Sequence, residues 1–123
     1  MRLLLVDDDP DIRLLLGSYL EAEGHQVETA ADGEEGLRRA RESLPEVILL
    51  DCVMPVLDGV ETLRRLRRDP LTVHLPVIFL TALQGGPEVD EARSLGGVTR
   101  VIPKPVMPEA LVHALDELAS PES

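Results

Sequence analysis

The chain has 123 residues, 44% of them apolar and 28% charged, the size and mix of a single globular domain with one core. A formal net charge of −11 argues against direct binding to nucleic acid, which draws its affinity from cationic contacts to phosphate. No apolar run approaches the roughly 18 residues of a membrane span, and the single cysteine, Cys52, excludes an internal disulfide, so the sequence reads as cytoplasmic.

Leu3 to Val6 is a continuous apolar run, the pattern of a strand buried on both faces. Asp9-Pro10 then opens a helix, with Asp9 as N-cap and Pro10 at the first helical position. Its inner face is expected at Ile12, Leu15, Leu16, Tyr19 and Leu20, and Gly24 stops it. His25 to Thr29 reads as a weaker, more polar strand. A helix follows Asp32-Gly33, with Leu37, Ala40 and Leu44 on one side. Val47 to Leu50 is the second apolar strand and ends at Asp51. Asp58 caps a short helix that turns Val60, Leu63 and Leu66 inward. Val77 to Leu80 is the third apolar strand and ends at Thr81. A weak helix near Pro87 to Leu95 is stopped by Gly96-Gly97. Val101-Ile102 reads as a short fifth strand, and Pro108 to Ala119 as the last helix, with Leu111, Leu115 and Leu118 inward. Residues 1–119 thus form one domain, and 120–123 a tail.

Five βα units imply a three-layer α/β fold, a doubly wound parallel sheet of the flavodoxin-like kind with helices on both faces. The three wholly apolar strands belong in its middle, and the polar second and short fifth at its edges. The order 2-1-3-4-5 satisfies this. It also puts a topological switch point between the first and third strands, where ligands bind at the strands' carboxyl ends.

The residues at those carboxyl ends are chemically pointed. Asp7-Asp8 comes after the first strand, Asp51 after the third, Thr81-Ala82 after the fourth, and Lys104-Pro105 after the fifth. Three carboxylates in one crevice repel one another, by about 4 kcal/mol per pair at 4 Å and an effective dielectric of about 20. A hard divalent cation with oxygen ligands relieves this, and Mg²⁺ suits a site that leaves room for a phosphoryl group. Lys104 is the only lysine among twelve basic residues, a compact point donor for phosphoryl oxygens. Asp51 is then a carboxylate nucleophile towards phosphorus, with Thr81 and Lys104 donating to the transferring group.

Val6-Asp7-Asp8-Asp9-Pro10, Asp51-Cys52-Val53-Met54-Pro55 with Asp58-Gly59, Thr81-Ala82 and Lys104-Pro105 resemble, in order and spacing, the receiver domain of two-component response regulators. The resemblance spans nearly the whole chain. It implies that Asp51 is the phospho-acceptor and that Asp7, Asp8, Asp51 and the backbone carbonyl of Val53 hold Mg²⁺. It further implies that Thr81 is the hydroxyl that moves on phosphorylation and that Lys104 contacts the phosphoryl group.

The donor is expected to be a sensor histidine kinase or a histidine phosphotransfer protein. Expected too are an output protein as target, a monomer or weak dimer, and no catalysis beyond the domain's own phosphorylation and dephosphorylation. The sequence fits either a stand-alone regulator or a receiver excised from a longer one. Such domains often carry an aromatic residue three places before the lysine. Val101 stands there, so output is expected through backbone shifts near Leu83 to Val89. Val53 and Leu83, both apolar, predict slow loss of phosphate. Two other readings are a phosphatase of the haloacid dehalogenase type with Asp7 as nucleophile, and an adaptor that never accepts phosphate. Asp11, where such a phosphatase has Thr or Val, speaks against the first, and the intact acidic pocket against the second.

Overall fold

The structure, a computed structural model, describes residues 1–52, 54, 56–81, 86–94 and 98–119. Ala82, the Gly96-Gly97 helix stop and the tail therefore lie outside the described residues. In chain order the elements are β1 (Arg2–Val6), α1 (Pro10–Ala22), β2 (Gln26–Ala30), α2 (Gly33–Ser43) and β3 (Val47–Asp51). Then come α3 (Gly59–Arg68), β4 (Val77–Thr81), α4 (Pro87–Ser94), β5 (Val98–Pro103) and α5 (Pro108–Ala119). The strands pair in parallel in the order β2-β1-β3-β4-β5, as the apolar runs require.

Alternation along each buried strand divides the core in two. Leu4, Val6, Ile48, Leu50, Val77 and Phe79 face α2, α3 and α4, where they meet Ala40, Val60, Leu63, Leu66 and Ala92. Leu3, Leu5, Val47, Leu49, Ile78 and Leu80 face α1 and α5, against Leu16, Leu20, Leu111, Ala114 and Leu115. Each central strand is covered on both sides, which is why its sequence is a continuous apolar run rather than an alternating one.

The expected caps form. The Asp9 side chain accepts from the amides of Asp11 and Ile12, Asp32 from Glu35, and Asp58 from Glu61. Four expectations need correction. Leu15 does not face inward but is 62% exposed, because α1 meets the sheet along the narrow stripe of Ile12, Leu16 and Leu20, one helical turn apart. Leu44 leaves α2 as a left-handed C-cap at φ 46°. Strand β2 begins one residue later than expected and includes Ala30. Strand β5 runs six residues, Val98–Pro103, since an edge strand tolerates polar residues that a buried one does not.

Arg67 also departs from the solvated helix face that its neighbours suggest. Its guanidinium turns into the connection after α3 and donates to the carbonyls of Thr72 (3.3 Å), Val73 (3.1 Å) and Leu75 (2.9 Å). The buried Thr72 hydroxyl closes the same turn by donating to the Leu66 carbonyl at 2.8 Å. Arg67→Ala is expected to cost about 2 kcal/mol, since charge-assisted bonds to several carbonyls vanish together. Urea unfolding measures it, and an unchanged midpoint would mean that the turn holds itself.

Candidate functional site

The carboxyl ends of β1, β3, β4 and β5 share one edge of the sheet. Asp7 follows β1 directly, and its N–H continues the ladder by donating to the Ala30 carbonyl at 3.1 Å. Asp51 is the last residue of β3 and Thr81 the last of β4; both are buried. One oxygen from each of Asp7, Asp8 and Asp51 lies within 4.8 Å of the others. Asp7 is fully buried, Asp51 nearly so, and Asp8 exposed, so the cluster opens towards solvent on the Asp8 side.

Lys104 arrives from the loop after β5. Its Nζ stands 3.0 Å from Asp51 Oδ2 and 3.5 Å from Asp7 Oδ2, with its side chain 28% exposed. Its backbone N–H donates to the Thr81 carbonyl at 2.9 Å, which ties the lysine's loop to the end of β4. The Lys104–Pro105 peptide is cis. Burial works against the ammonium, but the Asp51 carboxylate, with Asp7 behind it, outweighs burial and holds the Lys104 pKa above the ordinary lysine value.

The loop returning from β3 is held close beneath Asp51. Gly59 N–H donates to the Cys52 carbonyl at 2.8 Å, and a Cβ on Gly59 would come within 2.5 Å of the Asp51 carbonyl oxygen. Only glycine allows α3 to start there, directly after its Asp58 cap. Cys52 is a buried packing residue. Val53, whose carbonyl was expected to join the site, lies outside the described residues.

Three residues stand near this cluster that the sequence did not single out for the site. Asp9, foreseen as a cap, also donates its N–H to Asp7 Oδ1 at 2.9 Å. Arg13, in the first turns of α1, donates through Nη1 to the Asp7 carbonyl at 2.6 Å. Val56 is a β-branched residue at φ 69° and 77% exposed, in the loop that leads from β3 to α3. Left-handed backbone costs such a residue about 1–2 kcal/mol, and asparagine tolerates it. Val56→Asn is therefore expected to raise stability by about 1 kcal/mol, read as a higher urea midpoint; a lower midpoint would show that Val56 makes a contact worth more than the strain.

The donor set fits a hard cation. All three groups are carboxylates, with no sulfur or imidazole among them, and ligands across an octahedral Mg²⁺ stand about 4.2 Å apart. With the three oxygens already within 4.8 Å of one another, side-chain adjustments would suffice to bring them to one ion. The opposite charges of Lys104 and a divalent ion then balance three acids that would otherwise repel one another.

Comparison with known proteins shows the family. The model of the response regulator receiver domain matches residues 3–116. The response regulator PleD of Caulobacter vibrioides is 42% identical over 107 residues, covering 85% of this chain and 23% of that protein. Among solved structures, the chemotaxis protein CheY4 of Vibrio cholerae superimposes with a TM-score of 0.88 at 34% identity, over 94% of this chain and 96% of that one. The receiver domain of the sensor histidine kinase PA1611 of Pseudomonas aeruginosa, solved with a magnesium ion coordinated in its active-site cleft, gives a TM-score of 0.85 at 29% identity, covering 94% of each chain. The chain spans between 15% and 54% of the length of eight curated relatives, PleD among them.

Proposed function

The chain belongs to the response regulator receiver domain family, a signalling module of two-component systems, and on that premise we propose that its acidic pocket accepts a phosphoryl group on Asp51. The observation that carries this reading is the convergence of Asp7, Asp8 and Asp51 within 4.8 Å, with Lys104 set against two of them.

In the proposed reaction an Asp51 oxygen attacks phosphorus as the phosphorus–nitrogen bond of a donor phosphohistidine breaks, leaving an acyl phosphate. Asp7, Asp8 and Asp51, with the Val53 carbonyl, would hold Mg²⁺, which supplies neutralising charge for the phosphoryl oxygens. Lys104, 3.0 Å from Asp51, would follow the phosphoryl oxygens once Asp51 carries the acyl phosphate. The Thr81 hydroxyl, one strand over, would turn towards the same oxygens. Because Thr81 ends the strand that leads towards α4, its movement is the first link to a target. Val101, half-buried against the core, supplies no aromatic ring to relay it. Output is proposed to run through backbone shifts near Leu83 to Val89, of which residues 83–85 lie outside the described residues.

Partners accord with the same reading: a histidine kinase or histidine phosphotransfer protein as donor, and an output domain or protein as receiver of the signal. No helix among the described residues is long and apolar enough to cross a membrane, and a single, buried cysteine, Cys52, suits a reducing compartment. Incubation with acetyl phosphate and Mg²⁺ tests the function. A gain of one phosphoryl mass, absent when a chelator replaces Mg²⁺, is expected; no gain under either condition would favour an adaptor that keeps the fold without the chemistry.

A further inference from the structure

The geometry points to Arg13 as a positioning residue that orients the Asp7–Asp8 peptide so that the Asp8 carboxylate faces the other two acids. The inference rests on the proposed metal-binding role of that cluster. Its starting point is the unequal support of the three carboxylates. Asp7 is held at both oxygens, by the Asp9 N–H at 2.9 Å and by Lys104 at 3.5 Å. Asp51 ends a hydrogen-bonded central strand and pairs with Lys104 at 3.0 Å. No hydrogen bond or ion pair among the described residues holds the exposed Asp8 carboxylate. Its backbone sets where the side chain starts, and only its own rotamer sets the rest.

That backbone is the peptide plane between Asp7 and Asp8. A peptide is rigid, so the direction of the Asp7 carbonyl fixes the direction in which the Asp8 N and Cα leave it. The carbonyl is the acceptor of the Arg13 Nη1 bond at 2.6 Å. Arg13 itself is well anchored: its N–H donates to the Asp9 carbonyl at 3.0 Å. Its half-buried stem lies in the groove between α1 and β2 with Gly17, Val27 and Thr29. Helical side chains lean towards the helix N-terminus, and this lean carries the guanidinium back over the turn after β1. On the other side of the same residue, the Asp7 N–H is tied to Ala30. Asp7 is thus clamped at both ends of its backbone, and Asp8 inherits the result.

The charge on Arg13 would act in the opposite sense. A cation beside the cluster repels a divalent ion, so losing it would tighten Mg²⁺ binding, whereas losing an orienting bond weakens it. The sign of the change separates the two. In the full chain, Arg13→Met keeps the apolar stem in the groove and removes the donor. Calorimetric titration with Mg²⁺ is expected to show about tenfold weaker binding, the low end for partners that orient metal ligands. Arg13→Lys, which restores a donor on a similar stem, is expected to regain most of the affinity. Phosphorylation by acetyl phosphate should need correspondingly more Mg²⁺ for half its maximal rate, with that rate at saturation retained.

In an Asp8→Ala background the Arg13→Met change should have no further effect on Mg²⁺ affinity, because Arg13 acts through Asp8. Unchanged or tighter Mg²⁺ binding by Arg13→Met would overturn the inference, as would a loss of affinity that persists in full without the Asp8 carboxylate. If the unaltered chain binds no Mg²⁺, the reading of the acidic cluster itself fails, an outcome distinct from these.

Discussion

Asp51→Asn is expected to take up no stable phosphoryl label from acetyl phosphate or from a phosphorylated kinase, while folding as the parent does. Asparagine has nearly the volume of aspartate, so the tight approach of Gly59 to the Asp51 carbonyl is undisturbed. The change removes the anionic oxygen that forms the bond to phosphorus, and an amide cannot replace it. The variant also replaces one of the three clustered carboxylates by a neutral amide, so Mg²⁺ affinity is expected to fall with it. Intact-mass measurement gives the first result, and thermal unfolding checks the second. A variant that still gains phosphoryl mass would move the acceptor elsewhere.

Lys104→Met carries the largest expected effect on stability. Its ammonium is the cation set against both Asp51 and Asp7, two carboxylates that are themselves buried. Removing one member of a buried pair leaves uncompensated charge and costs about 3–5 kcal/mol. Partial exposure of the lysine puts the expected loss nearer about 3 kcal/mol. A divalent ion binding the same acids should restore part of it, so the loss should be larger with chelator present than with Mg²⁺. Urea unfolding under both conditions measures this; an equal loss in each would deny that cation and lysine share the acids.

The pH dependence comes from the direction of the lysine's shift. A pKa raised on folding gives stability that is fully present below the ordinary lysine value, near about 10.4, and lost as pH rises through the folded value. Lys104 therefore contributes in full across the neutral range.

The meeting of these residues at one sheet edge was legible in the sequence because a polar or charged side chain at the end of a wholly apolar strand is conspicuous. Asp7, Asp51 and Thr81 each end such a run, and the strand order needed to bring them together depends on which runs are apolar. The caps at Asp9, Asp32 and Asp58 were legible for a similar reason: each precedes an amphipathic stretch at the right spacing.

The residues that escaped are those whose roles depend on direction rather than type. Leu14, Leu15 and Leu16 are identical in kind, and only the packing of α1 decides that Leu16 is buried. Arg67 stands among Arg64, Arg65 and Arg68, and nothing in composition marks it as the one that turns inward. Arg64 instead pairs across to Glu91 of α4 as well as to Glu61. Arg13 looks like any solvated helix residue until its guanidinium is seen folded back on the turn after β1. Val56 carries no sequence signal for left-handed backbone, which glycine or asparagine would have given.

The central claim is that one particular oxygen, on Asp51, becomes the acyl phosphate. Reducing the phosphorylated chain with borohydride converts the aspartyl phosphate to homoserine, and peptide mass spectrometry then locates it. Homoserine at position 51 is the expected result. Homoserine at position 7, with phosphate released continuously, would contradict the account and identify a phosphatase instead.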